Sequence, residues 1–324
     1  MGKTMSVVAD ALRPQWVHGL NDISRKPSGG LAAWTTAQGY AVSKQLQKKS
    51  CELYVADSNP LLQAYAYDCT RMAIAAFESL DGISRQPALP KSVAWLALRV
   101  YYSAFFAAHA LLRMCGTSCT QLDAPEAVAV TSVASMFGMY NGTSLSCGLY
   151  KCTYDPPASI LKCEAIGDSS HRGTWRIFRE WLAEVALQVE QPCYPGMSKD
   201  NARVATLLRT ICKHLCTSPA TDGGWLSHLR NMINYRHMYS AWYPYADRPG
   251  YYEGLHDLVS KWKDDPITLT IWPSSDRHLQ QFLETSLAIV AILRVMVVDM
   301  ASRCSKGYSF HKYGAIAVLN RLAV

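Results

Sequence analysis

The chain has 324 residues, room for one large domain or two of ordinary size, and 49% hydrophobic against 18% charged residues excludes a disordered polymer. A net charge of +7 and a pI near 8.8 are mildly basic, compatible with a polyanionic partner and too modest to require one. The start, MGKTMSVVADALRPQW, lacks the apolar run and small-residue cleavage site of a secretory leader, so a cytoplasmic chain with eleven reduced cysteines is expected.

Taken in order, residues 1–38 carry Pro and Gly punctuation, RKPSGG at 25–30, and only short helical patterns. Residues 1–38 are expected to be loosely attached and, with a helix expected over 39–55, to make up an N-terminal helical lead segment, 1–57. A helix over 59–80 is introduced by Ser58-Asn59-Pro60 and stopped by Asp81-Gly82. The next, from Pro90 to Met114, is apolar on nearly every side, with Gly116 just past its end, and belongs in the middle of a bundle. Residues 116–170 are dense in Gly, Ser, Thr, Cys and Pro, and only the stretches around 145–154 and 158–166 are predicted to pair as strands. Helices are predicted again over 172–190, 199–217 and 224–240. A Tyr/Pro/Gly-rich loop spans 243–254, and a last helix runs from Asp276 to Cys304. Its apolar run, Leu287 to Val298, is too short for a hydrocarbon layer that needs about 20 residues, and reads as a buried core helix. The expected fold class is thus mainly α: a helical domain over 58–304 interrupted by an insertion, 116–221, with a small β-hairpin expected in it, then a tail, 305–324.

Several features carry little chemistry. Cys115/Cys119 and Cys212/Cys216 are each four apart, one helix face apiece, but with no C-x-x-C they read as small buried hydrophobes, and no metal is expected. His109, in a wholly apolar helix, reads as a satisfied core histidine. Phosphate-binding loops, dinucleotide fingerprints, nucleophile elbows and zinc-protease motifs do not occur in the sequence.

The informative stretch is Gly223 to Tyr239. Leu226, Leu229, Ile233 and Trp225 make an apolar stripe at helical spacing, while Arg230, Asn234 and His237 stand at i, i+4 and i+7. On a helix over 224–240 these three share one face. Arginine binds phosphate oxygens bidentately, asparagine orients an oxygen, and histidine moves a proton near neutral pH. The plainer reading of the same spacing is a solvated helix face. Beyond it, Tyr239, Trp242, Tyr243, Tyr245, Tyr251 and Tyr252, interleaved with Arg236 and Arg248, suit either stacking of unpaired bases or an ordinary packed loop. Of these, Arg236, Tyr243 and Arg248 are the candidate RNA contacts.

The segment resembles the R-x4-6-H signature of the HEPN superfamily: Arg230 is followed by polar Asn231, six residues separate it from His237, and His237-Met238-Tyr239 matches an H-x-Y extension. The helix Tyr101 to Leu112, YYSAFFAAHALL, is similar to the aromatic and alanine-rich core helix that precedes the motif helix in many HEPN proteins. About 107 residues separate the two elements where the family usually has a short connection. What the resemblance implies is a HEPN-like helical bundle with no cofactor, acting as a metal-independent endoribonuclease in a prokaryotic toxin or antiviral defence role. The 2′-OH of the RNA would attack the adjacent phosphate. His237 would act as acid or base, Arg230 would hold the phosphate, and Asn231 or Asn234 would position a phosphate or the imidazole. It also implies a homodimer with a composite site, a neutralising or activating partner, and a control point at Tyr239. The alternative is a non-catalytic HEPN-like module that binds RNA or protein.

Overall fold

The computed structural model describes residues 6–23, 28–81, 83, 93–242, 254–255, 257–269, 278–304, 310 and 314–322. Two short helices come first, α1 (Val7–Leu12) and α2 (Leu31–Thr36). Val8, Ala9, Ala11 and Leu12 are buried, and the Leu31 N–H donates to Asp68 Oδ2 at 3.0 Å, so the lead segment is packed into the body rather than loosely attached.

The helix expected over 39–55 is replaced by strands β1 (Ala41–Val42) and β2 (Ser50–Tyr54). Cys51 and Leu53 point inward while Ser50, Glu52 and Tyr54 face outward or sit at the boundary, a period of two that no helix satisfies. α3 (Ser58–Leu80) then begins where Asp57 Oδ1 accepts the Asn59 N–H at 3.0 Å, which makes Asp57 the cap instead of the residues after it. α4 (Val93–Met114) ends at Gly116, whose φ of +75° puts any Cβ 2.7 Å from Val17 Cγ2. Its carbonyl accepts from Tyr65 Oη at 3.0 Å and from the Tyr154 N–H at 2.8 Å, so this turn joins helix to sheet.

Two unexpected elements follow, β3 (Thr117–Leu122) and α5 (Ala124–Met136). The sequence Asp123-Ala124-Pro125-Glu126 starts α5, with Glu126 Oε2 accepting the Asp123 N–H at 2.8 Å. β4 (Gly148–Asp155) and β5 (Ile160–Ala165) form the hairpin the sequence indicated. The sheet has five antiparallel strands in the order β1-β2-β5-β4-β3, so the lead segment and residues 117–165 are built into one layer. Register sets Cys51 and Cys152 on either side of Cys163, all buried, and the two neighbouring thiols together with burial push the Cys163 thiol well up. Among the described residues no group of three or more His, Cys, Asp or Glu is arranged for a metal ion.

Helices resume with α6 (Ser170–Val189), α7 (Ser198–Leu215), α8 (Trp225–Arg236), α9 (His278–Ser302) and α10 (Ala315–Arg321). α4 is central and packs against α3, α6, α8 and α9. α4 and α9 are long and apolar enough to cross a membrane, yet 78% and 89% of their apolar windows are buried inside the fold, which makes them core helices. The core histidine is as expected: His109 Nδ1 lies 3.0 Å from Arg113 Nη1, and burial followed by the Arg113 charge holds it well below the ordinary imidazole range.

Candidate functional site

α8 approaches α6 closely because Gly223, at φ +103°, leaves only 3.2 Å between a notional Cβ and the Trp175 carbonyl. Trp225, Leu226, Leu229 and Ile233 are buried, which is the stripe read from the sequence. Arg230 sits at its edge and is only 7% exposed. Its Nη1 donates to Asn231 Oδ1 at 2.8 Å, and its guanidinium carbon lies 5.3 Å from the Tyr101 ring centre and 5.8 Å from that of Tyr102. Its Nε is buried with no hydrogen-bond partner, and among the described residues no carboxylate pairs with it.

The helix stops at Arg236, short of the expected 240. His237 takes the left-handed conformation (φ 52°, ψ 32°) and the Met238 N–H reaches the Met232 carbonyl at 3.1 Å, a helix-ending motif in which glycine or asparagine is the usual occupant. Tyr239 and Ser240 also have positive φ, at 64° and 47°. Two contacts fold this turn back. Trp242 Nε1 donates to the Ile233 carbonyl at 2.7 Å, and the Ala94 N–H donates to the Ala241 carbonyl at 3.0 Å. Arg230, Asn234 and His237 therefore do not form one row on a continuous helix, which corrects the shared face expected from spacing. His237 is exposed, with its ring 5.6 Å from that of Trp242.

The asparagines face two different clefts. Asn234 lines a cavity of about 690 Å³ with Glu78, Trp95, Arg99, Tyr102 and Phe106. Asn231 lines one of about 370 Å³ with Arg172, Asp222, Ser227 and His228. Arg230 is bonded to Asn231, a lining residue of the second cleft, and lies over Tyr102, a lining residue of the first. Arg236 is exposed at the end of α8. Tyr239 is half-buried, its ring edge-on to His278 at 6.0 Å, and burial raises its hydroxyl. Tyr243 and Arg248 lie outside the described residues.

Sequence reasoning missed His171, at the start of α6. Its Nδ1 is 2.9 Å from Tyr101 Oη, which also accepts from Trp175 Nε1 at 3.1 Å. The His171 ring packs 4.3 Å from Phe105, and burial, then the Arg230 charge, lowers the imidazole to about 4. Nothing in the sequence couples positions 70 residues apart. Only the polar start of the helix, Ser169-Ser170-His171-Arg172, sets His171 at the edge of a buried face.

Fold and site together define a mainly helical protein with a five-stranded antiparallel sheet and a buried arginine that has no carboxylate partner among the described residues. Comparison with protein-family models, curated proteins and solved structures gives no match for this chain.

Proposed function

We propose that the protein is a metal-independent endoribonuclease of the HEPN type, acting in a toxin or antiviral defence role. The observation that carries this reading is Arg230. Among the described residues it has no carboxylate partner; a buried cation of that kind is costly unless an anion completes it, and a guanidinium already fixed on Asn231 and two tyrosine rings is shaped for phosphate oxygens. The order of an aromatic, alanine-rich core helix (α4) before the helix that carries Arg230 (α8), packed against each other, supports the same reading.

In the proposed reaction the 2′-oxygen of RNA attacks the neighbouring phosphorus, the P–O5′ bond breaks, and a 2′,3′-cyclic phosphate and a 5′-hydroxyl result. One group accepts the 2′-OH proton and another delivers a proton to O5′, so no water is consumed. Arg230 stabilises the charge on the phosphate oxygens, and His237, exposed beside Trp242, is the proton-moving group. A homodimer brings two such sites together, a neutralising partner protects the cell that makes the protein, and Tyr239 is the candidate point of control.

Arg230→Ala and His237→Ala should each abolish cleavage of a single-stranded RNA that the wild-type protein cuts in the presence of EDTA. Wild-type cleavage that EDTA stops, or variants that cut like wild type, sink the proposal. The ending of α8 before His237 favours a second reading, a module that binds RNA or a protein without cutting. Under it the wild-type chain retains RNA on a filter and leaves it intact.

A further inference from the structure

We propose that His171, Tyr101 and Arg230 form an oxyanion site in which a neutral His171 presents its Nε2–H, beside the Arg230 guanidinium, to a phosphate oxygen. The inference rests on the reading above for its substrate, an RNA phosphodiester, and adds a second histidine to it.

The protons on the Tyr101 hydroxyl decide the state of His171. The Trp175 indole N–H can only donate, and it donates to Tyr101 Oη at 3.1 Å. Arg230 lies over the Tyr101 ring, its guanidinium carbon 5.3 Å from the ring centre, and sets a fixed positive charge beside it. The Tyr101 hydroxyl has one hydrogen of its own to give, and His171 Nδ1 is 2.9 Å away. In the proposed arrangement the hydroxyl donates to Nδ1, and the hydrogen of the neutral ring is on Nε2. Tyr101 thus acts as a positioning residue that fixes the tautomer.

The surroundings keep the ring neutral. Among the described residues, the charged and titratable groups facing His171 from other helices are Tyr101, Tyr102 and His109 from α4 and Arg230 from α8, with no carboxylate among them. Phe105 covers a face of the ring. Burial and the Arg230 charge both disfavour imidazolium. Among the described residues nothing bonds Nε2, and His171 is only half-buried, so this donor is open to a ligand. Arg230 supplies the complementary lack, a nine-tenths-buried cation whose Nε has no partner. A neutral imidazole N–H next to a fixed guanidinium donates to an oxyanion without giving up its proton.

The test is nitrogen NMR of the full-length chain with labelled histidine, titrated first with inorganic phosphate and then with a single-stranded deoxyoligonucleotide, which has phosphodiesters but no 2′-OH to attack. At pH 7 His171 should be the Nε2–H tautomer and stay neutral to about pH 5, consistent with an imidazole lowered to about 4. Both probes, or the oligonucleotide alone, should shift its resonances to saturation. Tyr101→Phe, which keeps the ring, should erase the tautomer preference. Arg230→Gln should weaken the response about tenfold or more, the scale of one charge-assisted hydrogen bond. His171→Gln, half-exposed and checked for native circular dichroism, should weaken oligonucleotide binding measured by fluorescence anisotropy even if Arg230→Gln does not fold. An Nδ1–H tautomer in the wild type, or no response to either probe, overturns the inference. A saturating response in a protein that leaves RNA uncut keeps the anion site and removes the ribonuclease reading. RNA cleavage with no His171 response does the reverse.

Discussion

At the residue scale, the contrast between Arg230 and His237 is the contrast between what periodicity fixes and what it does not. Steps of about 100° put Arg230 at the margin of the Leu226–Leu229–Ile233 stripe, and there the structure holds it, only 7% exposed. His237 departs because the helix ends in tertiary contacts, Trp242 on the Ile233 carbonyl and Ala241 on the Ala94 N–H, which no local pattern encodes. The left-handed backbone at His237 provides a clean separation of structure from chemistry. Glycine tolerates that conformation and other residues pay roughly 1–2 kcal/mol for it. His237→Gly should therefore leave stability unchanged or raise it by up to about 1 kcal/mol in urea unfolding, while RNA cleavage disappears. A destabilised variant would mean that the imidazole holds the turn through Trp242, and a stable variant that still cuts would remove His237 from the chemistry.

At the element scale, the hairpin β4–β5 was legible and the rest of the sheet was not. Gly148–Asp155 and Ile160–Ala165 are close in sequence and bounded by turn residues, whereas β2 finds its partner β5 more than 100 residues away. A five-residue strand with only Cys51 and Leu53 turned inward is too short to announce its period inside a segment rich in Gln and Lys. The cysteines follow the sheet. Cys51, Cys152 and Cys163 are buried in one cross-strand row, while Cys147 and Cys193 are exposed. Iodoacetamide should thus label Cys147 and Cys193 first in the native protein and spare the strand row until denaturant is added, as read by mass spectrometry. Early labelling of Cys163 would show that the sheet opens under native conditions.

At the scale of the whole molecule, helix identity was legible because length and apolar composition mark α3, α4 and α9, but their assembly was not. The sheet recruits strands from before and after α3 and α4, so segments that composition set apart become one layer beside the bundle. Polar-dense sequence in 116–170 concealed β3 and α5, which earn their order by packing: Val130 and Val133 of α5 are fully buried. The proposed composite site requires two chains. Light scattering after gel filtration should give about twice the 36.0 kDa chain mass, and a strict monomer that cleaves RNA would contradict the paired site.

The most direct measurement of the proposed chemistry is the identity of the new RNA ends. Phosphorus NMR and mass spectrometry of a short RNA incubated with the protein and EDTA should show a 2′,3′-cyclic phosphate on one fragment and a 5′-hydroxyl on the other, both missing with Arg230→Ala. Ends carrying a 3′-hydroxyl and a 5′-phosphate, or an RNA recovered intact, would contradict it.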